Sequence, residues 1–209
     1  MAEEGDVTFD TQTDSRIDPR IKAVMLAALS PSPGADVDSR ETLLAESNSG
    51  ASGEPSEEWK FTDRCDSEEI APSDGLLVYT QQVVSAPDGN LINLRVTRPD
   101  TEATLACVYY IHGGGMAVGS CFDPVFRGWA RLIAANGVAV VMVDFRNSVT
   151  ASSVPEVAPF PAGLNDCVSG LRWVVTNASQ LNIDPARTVV AGDSGGGNLT
   201  LATGLKLKR

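Results

Sequence analysis

The sequence predicts an α/β architecture, a mostly parallel sheet with helices on both faces. Leu105 to Ile111, Val138 to Val143 and Thr188 to Ala191 are continuous apolar runs without alternation, as strands covered on both faces should be. Between them lie stretches whose apolar residues recur at steps of three and four, the period of helical crossovers. Two glycine clusters follow directly after apolar runs, at the strand ends where open parallel sheets bind ligands.

Taken in chain order, residues 19–29 predict a short amphipathic helix with Pro19 in its first turn. From Ser30 to about Ser73 the chain is mostly Ser, Gly, Pro, Asp and Glu, which predicts a flexible or irregular insert. Leu76 to Val84 and Leu91 to Thr97 are strand-like runs joined by Pro87-Asp88-Gly89-Asn90, and they predict an antiparallel hairpin. After the run ending at Ile111, Asp123-Pro124 marks a helix start; Phe126, Trp129, Ala130 and Ile133 fall on one face, and Asn136-Gly137 supplies the stop. Leu164, Cys167, Val168, Leu171, Val174, Val175 and Ala178 define the clearest helix, and a last one starts at Gly195.

Charge and cysteine usage exclude several function classes. The net charge of −11 sits in residues 1–80, with 18 acids against 6 bases; residues 81–209 carry 9 acids against 10 scattered bases. A nucleic-acid or anionic-membrane partner needs clustered basic surface, so neither is expected. No apolar run approaches the roughly 20 residues needed to span a bilayer. The acidic start, with Glu3, Glu4, Asp6, Asp10 and Asp14, is unlike a secretory signal, so a cytoplasmic protein is expected. Cys65, Cys107, Cys121 and Cys167 form no C-x-x-C pair and His112 is the lone histidine; we expect reduced, buried thiols and no metal site.

The chemistry concentrates in the glycine clusters. Gly192-Asp193-Ser194-Gly195-Gly196 between a strand and a helix is a nucleophile elbow: the tight reversal leaves no room for side chains at Gly192 and Gly196 and thrusts the Ser194 Oγ outward. The free N–H groups and positive dipole end of the following helix lie where negative charge develops in acyl transfer. Gly113, Gly114 and Gly115 let main-chain N–H groups approach a substrate oxygen, so they are candidate oxyanion donors opposite the Gly195 N–H. A side chain at Gly114 is expected to block that position while leaving the fold intact. Neither cluster spells a phosphate-binding G-x-G-x-x-G or G-x-x-x-x-G-K-[ST] loop. His112, beside the oxyanion loop, is expected to be a structural hydrogen-bonding residue; the rival reading makes His112, Asp144 and Ser194 a triad. Asp193 is expected to be a supporting or capping carboxylate. Trp59, Trp129 and Trp173 read as packing residues.

His112-Gly113-Gly114-Gly115 and Gly192-Asp193-Ser194-Gly195-Gly196, in this order after these strands, resemble the hormone-sensitive-lipase branch of the α/β-hydrolase superfamily. Asp144-Phe145-Arg146 followed by Pro159-Phe160-Pro161-Ala162 is a third likeness. Phe145, Asn147 and the Gly-Gly-Gly-Asn-Leu after Ser194 look most like the brefeldin A esterase group. The resemblance implies an α/β-hydrolase fold, with residues 1–75 as a cap helix plus acidic segment and 76–209 as the N-terminal part of the catalytic domain. It also implies a cofactor-free carboxylic ester hydrolase that acts on small-molecule esters through an acyl-enzyme, and it leaves the oligomeric state open. In that family the acid and the histidine of the triad follow the nucleophile, whereas Gly195 to Arg209 contains no Asp, Glu or His. The expectation is therefore an N-terminal portion that is inactive alone. The alternatives are a non-catalytic, receptor-like homologue that keeps the pocket, and an inactive shortened product.

Overall fold

In the computed structural model, which describes residues 13–22, 37–49 and 63–208, the expected hairpin forms one side of the sheet. Strand β1 (Leu76–Val84) pairs antiparallel with β2 (Leu91–Pro99) from Leu76↔Pro99 to Val84↔Leu91. The parallel part follows: β3 (Leu105–Ile111) lies between β4 (Ala139–Asp144) and β5 (Ile183–Gly192), parallel to both. The strand order is β1-β2-β4-β3-β5, and β2 joins the hairpin to β4 antiparallel.

Continuous apolar strands are explained by the two layers that cover them. Tyr109, Ile111, Val141 and Val143 face helices α3 (Ala162–Thr176) and α4 (Ser194–Leu207), whose Cys167, Leu171, Val174 and Leu199 are buried in the same cluster. Tyr110, Val140 and Met142 point the other way, onto Ala130 and Ala134 of α2 (Pro124–Ala134). Each fully buried aliphatic side chain contributes about 1.5–3 kcal/mol, so both faces of β3 and β4 drive folding.

Several expectations need correction. The stretch 30–73 is not wholly irregular, because α1 (Arg40–Ser49) lies in it. Ser39 caps that helix, its Oγ accepting the Thr42 N–H at 3.1 Å, and Glu41, Leu43, Leu44 and Ala45 are good helix formers. Of the helix expected over 19–29, residues 19–22 are helical, and the remainder, like Trp59, lies outside the described residues. Strand β5 begins five residues before Thr188: the register jumps between Leu105↔Ile183 and Cys107↔Thr188, bulging out the polar Asp184-Pro185-Ala186-Arg187 that hid its start. On α2, Trp129 is 45% exposed, while Arg131 is buried. Arg131 donates to the carbonyls of Ala71 (2.6 Å) and Asp66 (2.7 Å), binding residues 65–71 across the helix. Asp123 stands at the cap of α2, but its carboxylate accepts the Ser120 N–H at 2.9 Å instead of capping. Cys107, Cys121 and Cys167 are buried free thiols, with burial pushing that of Cys107 up to about 12; Cys65 is only half-buried. Among the described residues no helix is long and apolar enough to cross a membrane.

Candidate active site

Strand β5 ends at Gly192 and α4 begins at Ser194, so the chain reverses at Asp193. The reversal places Ser194 at φ +50°, a left-handed conformation that costs a non-glycine residue on the order of 1–3 kcal/mol. Packing holds it there. A Cβ at Gly192 would stand 2.6 Å from the carbonyl oxygens of both Ile111 and Gly196. One at Gly196 would land on the Ile111 carbonyl oxygen and 2.5 Å from that of His112. The elbow is thus pressed against the end of β3 with no space for a methyl group, and Ser194 is left exposed.

The first turn of α4 also touches the triple-glycine loop. A Cβ at Gly195 would sit 2.9 Å from Gly115 Cα, Gly115 N and Met116 N. The loop itself turns through left-handed conformations, φ +112° at Gly114 and +61° at Gly115, which its lack of side chains permits. Among the described residues the N–H groups of Gly114, Gly115 and Gly195 have no acceptor. Gly113, expected among the oxyanion donors, differs: its N–H is committed to Asp193 Oδ1 at 3.0 Å. The expectation for Gly114 also changes, since a Cβ there would strike the Val118 carbonyl, so substitution must distort the loop backbone.

Asp193 does not cap α4; its carboxylate crosses to the other loop. Besides Gly113, its Oδ1 accepts the Tyr110 hydroxyl at 3.0 Å. Burial, and then the Asp193 carboxylate, raise the Tyr110 hydroxyl above its ordinary range, keeping it a donor. A hydrogen-bonded strut therefore runs from β3 to the elbow and the start of the loop. Tyr110 was missed by sequence reading, and its only local signal is a hydroxyl in an apolar run just before the first cluster.

His112 is fully buried, stacked on Phe145 at 4.3 Å between ring centroids and tilted against Phe126. Its Nδ1 bonds the Gly113 carbonyl at 2.7 Å, and its Nε2 faces Asp144 Oδ1 at 4.0 Å without a hydrogen bond. Burial holds the imidazole below its ordinary value. Both ring nitrogens are thus aimed at groups other than Ser194, which supports the structural role over the triad reading. Asp144 is itself engaged by Ser120 Oγ (2.6 Å), the Cys121 N–H (3.0 Å), the Ser153 N–H (2.7 Å) and the Ser153 hydroxyl. Beyond it, Arg146 pairs with Asp166 on α3 and Asp88 in the hairpin turn, both at 2.7 Å, and Ser85 Oγ adds a bond to Asp166 at 2.5 Å. Asp166 sits within the apolar stripe of α3, where no period reveals a buried carboxylate. Among the described residues no three His, Cys, Asp or Glu side chains gather closely enough to hold a metal ion.

Comparison with known proteins agrees with this architecture. Residues 108–209 match the family model described as alpha/beta hydrolase fold. The chain is 43% identical over 104 residues to carboxylesterase NlhH of Mycobacterium tuberculosis, an alignment covering 49% of this chain and 30% of that protein. A solved structure of esterase Est22 superposes with TM-score 0.85 at 51% identity, covering 95% of this chain and 58% of that one. Brefeldin A esterase, described as a bacterial homologue of human hormone-sensitive lipase, superposes with TM-score 0.76 at 34% identity, covering 98% and 56%. The chain thus spans just over half of either esterase and under a third of the carboxylesterase. With its hairpin, strand order, elbow and triple-glycine loop in one frame, the chain has the α/β-hydrolase fold and is similar to esterases of the hormone-sensitive-lipase-like branch.

Proposed function

We propose that this chain carries the nucleophile and oxyanion donors of a carboxylic ester hydrolase. One observation carries the reading: exposed Ser194 is held at φ +50° on a strand-to-helix turn whose next residue, Gly195, is packed on Gly115. In this reading the Ser194 Oγ attacks the ester carbonyl carbon, and the carbonyl oxygen, now an oxyanion, accepts the N–H groups of Gly114, Gly115 and Gly195. The C–O bond to the alkoxy group breaks, and the alcohol leaves with the proton from Ser194. Water then attacks the acyl-enzyme, releasing the acid and restoring the serine. Removing one such donor lowers turnover by roughly 10²–10³ in comparable sites. Likeness to proteins named carboxylesterase and esterase supports the ester as substrate class. The general base is assigned to none of residues 195–209, which hold no Asp, Glu or His; His112 is enclosed. Prolonged incubation with a fluorophosphonate, followed by peptide mapping, tests the assignment. The adduct is expected on Ser194 and absent from Ser194→Ala; an adduct on another serine overturns it.

A further inference from the structure

Asp193 holds the triple-glycine loop at its start, but the direction of its N–H groups is set further along. The Gly114 carbonyl accepts the N–H groups of Ala117 (3.0 Å) and Val118 (3.1 Å), closing a turn over residues 114–118. A trans peptide points its C=O and N–H in opposite directions, so fixing this carbonyl also fixes the Gly115 N–H on the same peptide. The turn is in turn gripped by the loop that leaves β4. Ser148 donates its N–H to the Met116 carbonyl at 3.0 Å, and Val149 and Thr150 donate theirs to that of Ala117 at 3.1 and 3.0 Å. The Asn147 side-chain amide adds a bond to the Gly119 carbonyl at 2.7 Å.

One buried carboxylate closes both loops. Asp144 has no exposed surface; among the described residues no guanidinium or ammonium pairs with it, and the His112 Nε2 stands 4.0 Å away without a hydrogen bond. Hydrogen bonds alone must offset its burial. They divide by oxygen. Oδ1 accepts the Ser120 hydroxyl (2.6 Å) and the Cys121 N–H (3.0 Å), at the end of the triple-glycine loop. Oδ2 accepts the N–H (2.7 Å) and the hydroxyl of Ser153, where the second loop returns. Donors converging from both sides need an acceptor on both sides, which a carboxylate supplies and an amide does not.

Resting on the reading of Gly115 as an oxyanion donor, we propose that Asp144 is a positioning residue for ester hydrolysis. It pins the 145–153 loop against the triple-glycine loop and so holds the Gly115 N–H in register with Ser194, without touching substrate. The full chain and its Asp144→Asn variant are compared by hydrogen–deuterium exchange and by the rate of fluorophosphonate labelling of Ser194. Asn keeps the volume and one acceptor oxygen, and it releases one of the two loops. Exchange at the amides of residues 117, 118 and 148–150 should quicken about tenfold or more, with β3 and β4 unchanged. Labelling should slow by about 10- to 100-fold, short of the roughly 10²–10³ for a donor lost outright. Should Asp144→Asn not fold, Ser153→Ala at an exposed position removes one bond to Oδ2, and both readouts should move the same way by roughly two- to tenfold, the weight of one hydrogen bond. As a control, Arg98→Met strips a buried guanidinium from the carbonyls of Leu181, Thr101 and Ala103, at the end of the sheet where β3 begins, and should leave labelling unchanged. Labelling at the parent rate in the Asp144 or Ser153 variant, equal slowing in Arg98→Met, or exchange raised across the whole sheet overturns the proposal. Exchange altered as expected in a chain whose Ser194 takes no adduct sinks the nucleophile and spares the clamp.

Discussion

Two glycines of α4 offer a controlled comparison between close approach and helix propensity. Gly204 has nothing within 4 Å of an added Cβ, so Gly204→Ala should stabilise the chain by about 0.5–1 kcal/mol through helix propensity alone. Gly196→Ala receives at most the same gain, but its methyl would land on the Ile111 carbonyl oxygen, 2.5 Å from that of His112 and 2.7 Å from the Ile111 carbonyl carbon. These are backbone atoms at the end of β3, so no rotamer can yield; α4 or the strand must move. Overpacking typically costs about 1–3 kcal/mol, and opposition from backbone alone puts this case at the upper end. A net loss of about 2–3 kcal/mol follows, and a gap of roughly 3 kcal/mol between the variants. Urea unfolding followed by tryptophan fluorescence measures it: with a slope of about 2 kcal/mol/M, the midpoints should differ by around 1.5 M in opposite directions from the parent. If both substitutions shift the midpoint equally, or Gly196→Ala is neutral, the elbow is not pressed onto β3 and the account of Ser194's conformation fails.

Three further outcomes are expected. Asp193→Ala leaves the Gly113 N–H and the Tyr110 hydroxyl without their acceptor, a loss of about 1–3 kcal/mol, whereas Asp193→Asn keeps an oxygen there and should cost clearly less; equal losses in urea would refute the strut. Burial holds His112 below its ordinary value, outweighing the Gly113 carbonyl and the nearby Asp144, Asp123 and Asp193 carboxylates, which favour the protonated ring. As pH falls through about 6.5 the unfolded chain therefore takes up a proton that the folded chain refuses. Stability should decline from there until the folded-state value is reached; His112→Gln should flatten the urea midpoint between pH 8 and 5, and an unchanged slope would contradict the enclosed neutral imidazole. Gly128→Ala places a Cβ on the Cys65 carbonyl, 2.8 Å from its carbon, and should lift residues 65–71 off α2, speeding limited proteolysis there. Cleavage at the parent rate would show that the polar ties from Arg127 and Arg131 hold the segment without that close backbone approach.

Strands β3 and β4, helix α3 and the elbow were legible in the sequence because each is set by neighbours a few residues apart. A strand covered on both faces must be apolar at every position, a half-buried helix must repeat at three and four, and Gly-x-Ser-x-Gly describes a turn closed within five residues. What lay outside that range was decided by tertiary packing alone. Nothing near Asp193 says that its carboxylate meets Gly113, 80 residues earlier, and so removes one expected oxyanion donor. Arg131 and Asp166 are charged residues at helix positions that face protein, and only their partners, Asp66 with the Ala71 carbonyl for the one and Arg146 for the other, make that burial tolerable. Trp129, for its part, is left 45% exposed on the helix face read as buried. Periodicity shows which side of an element is inside, but the identity of the group opposite depends on how strands pair and helices dock across the whole chain, which no local pattern encodes.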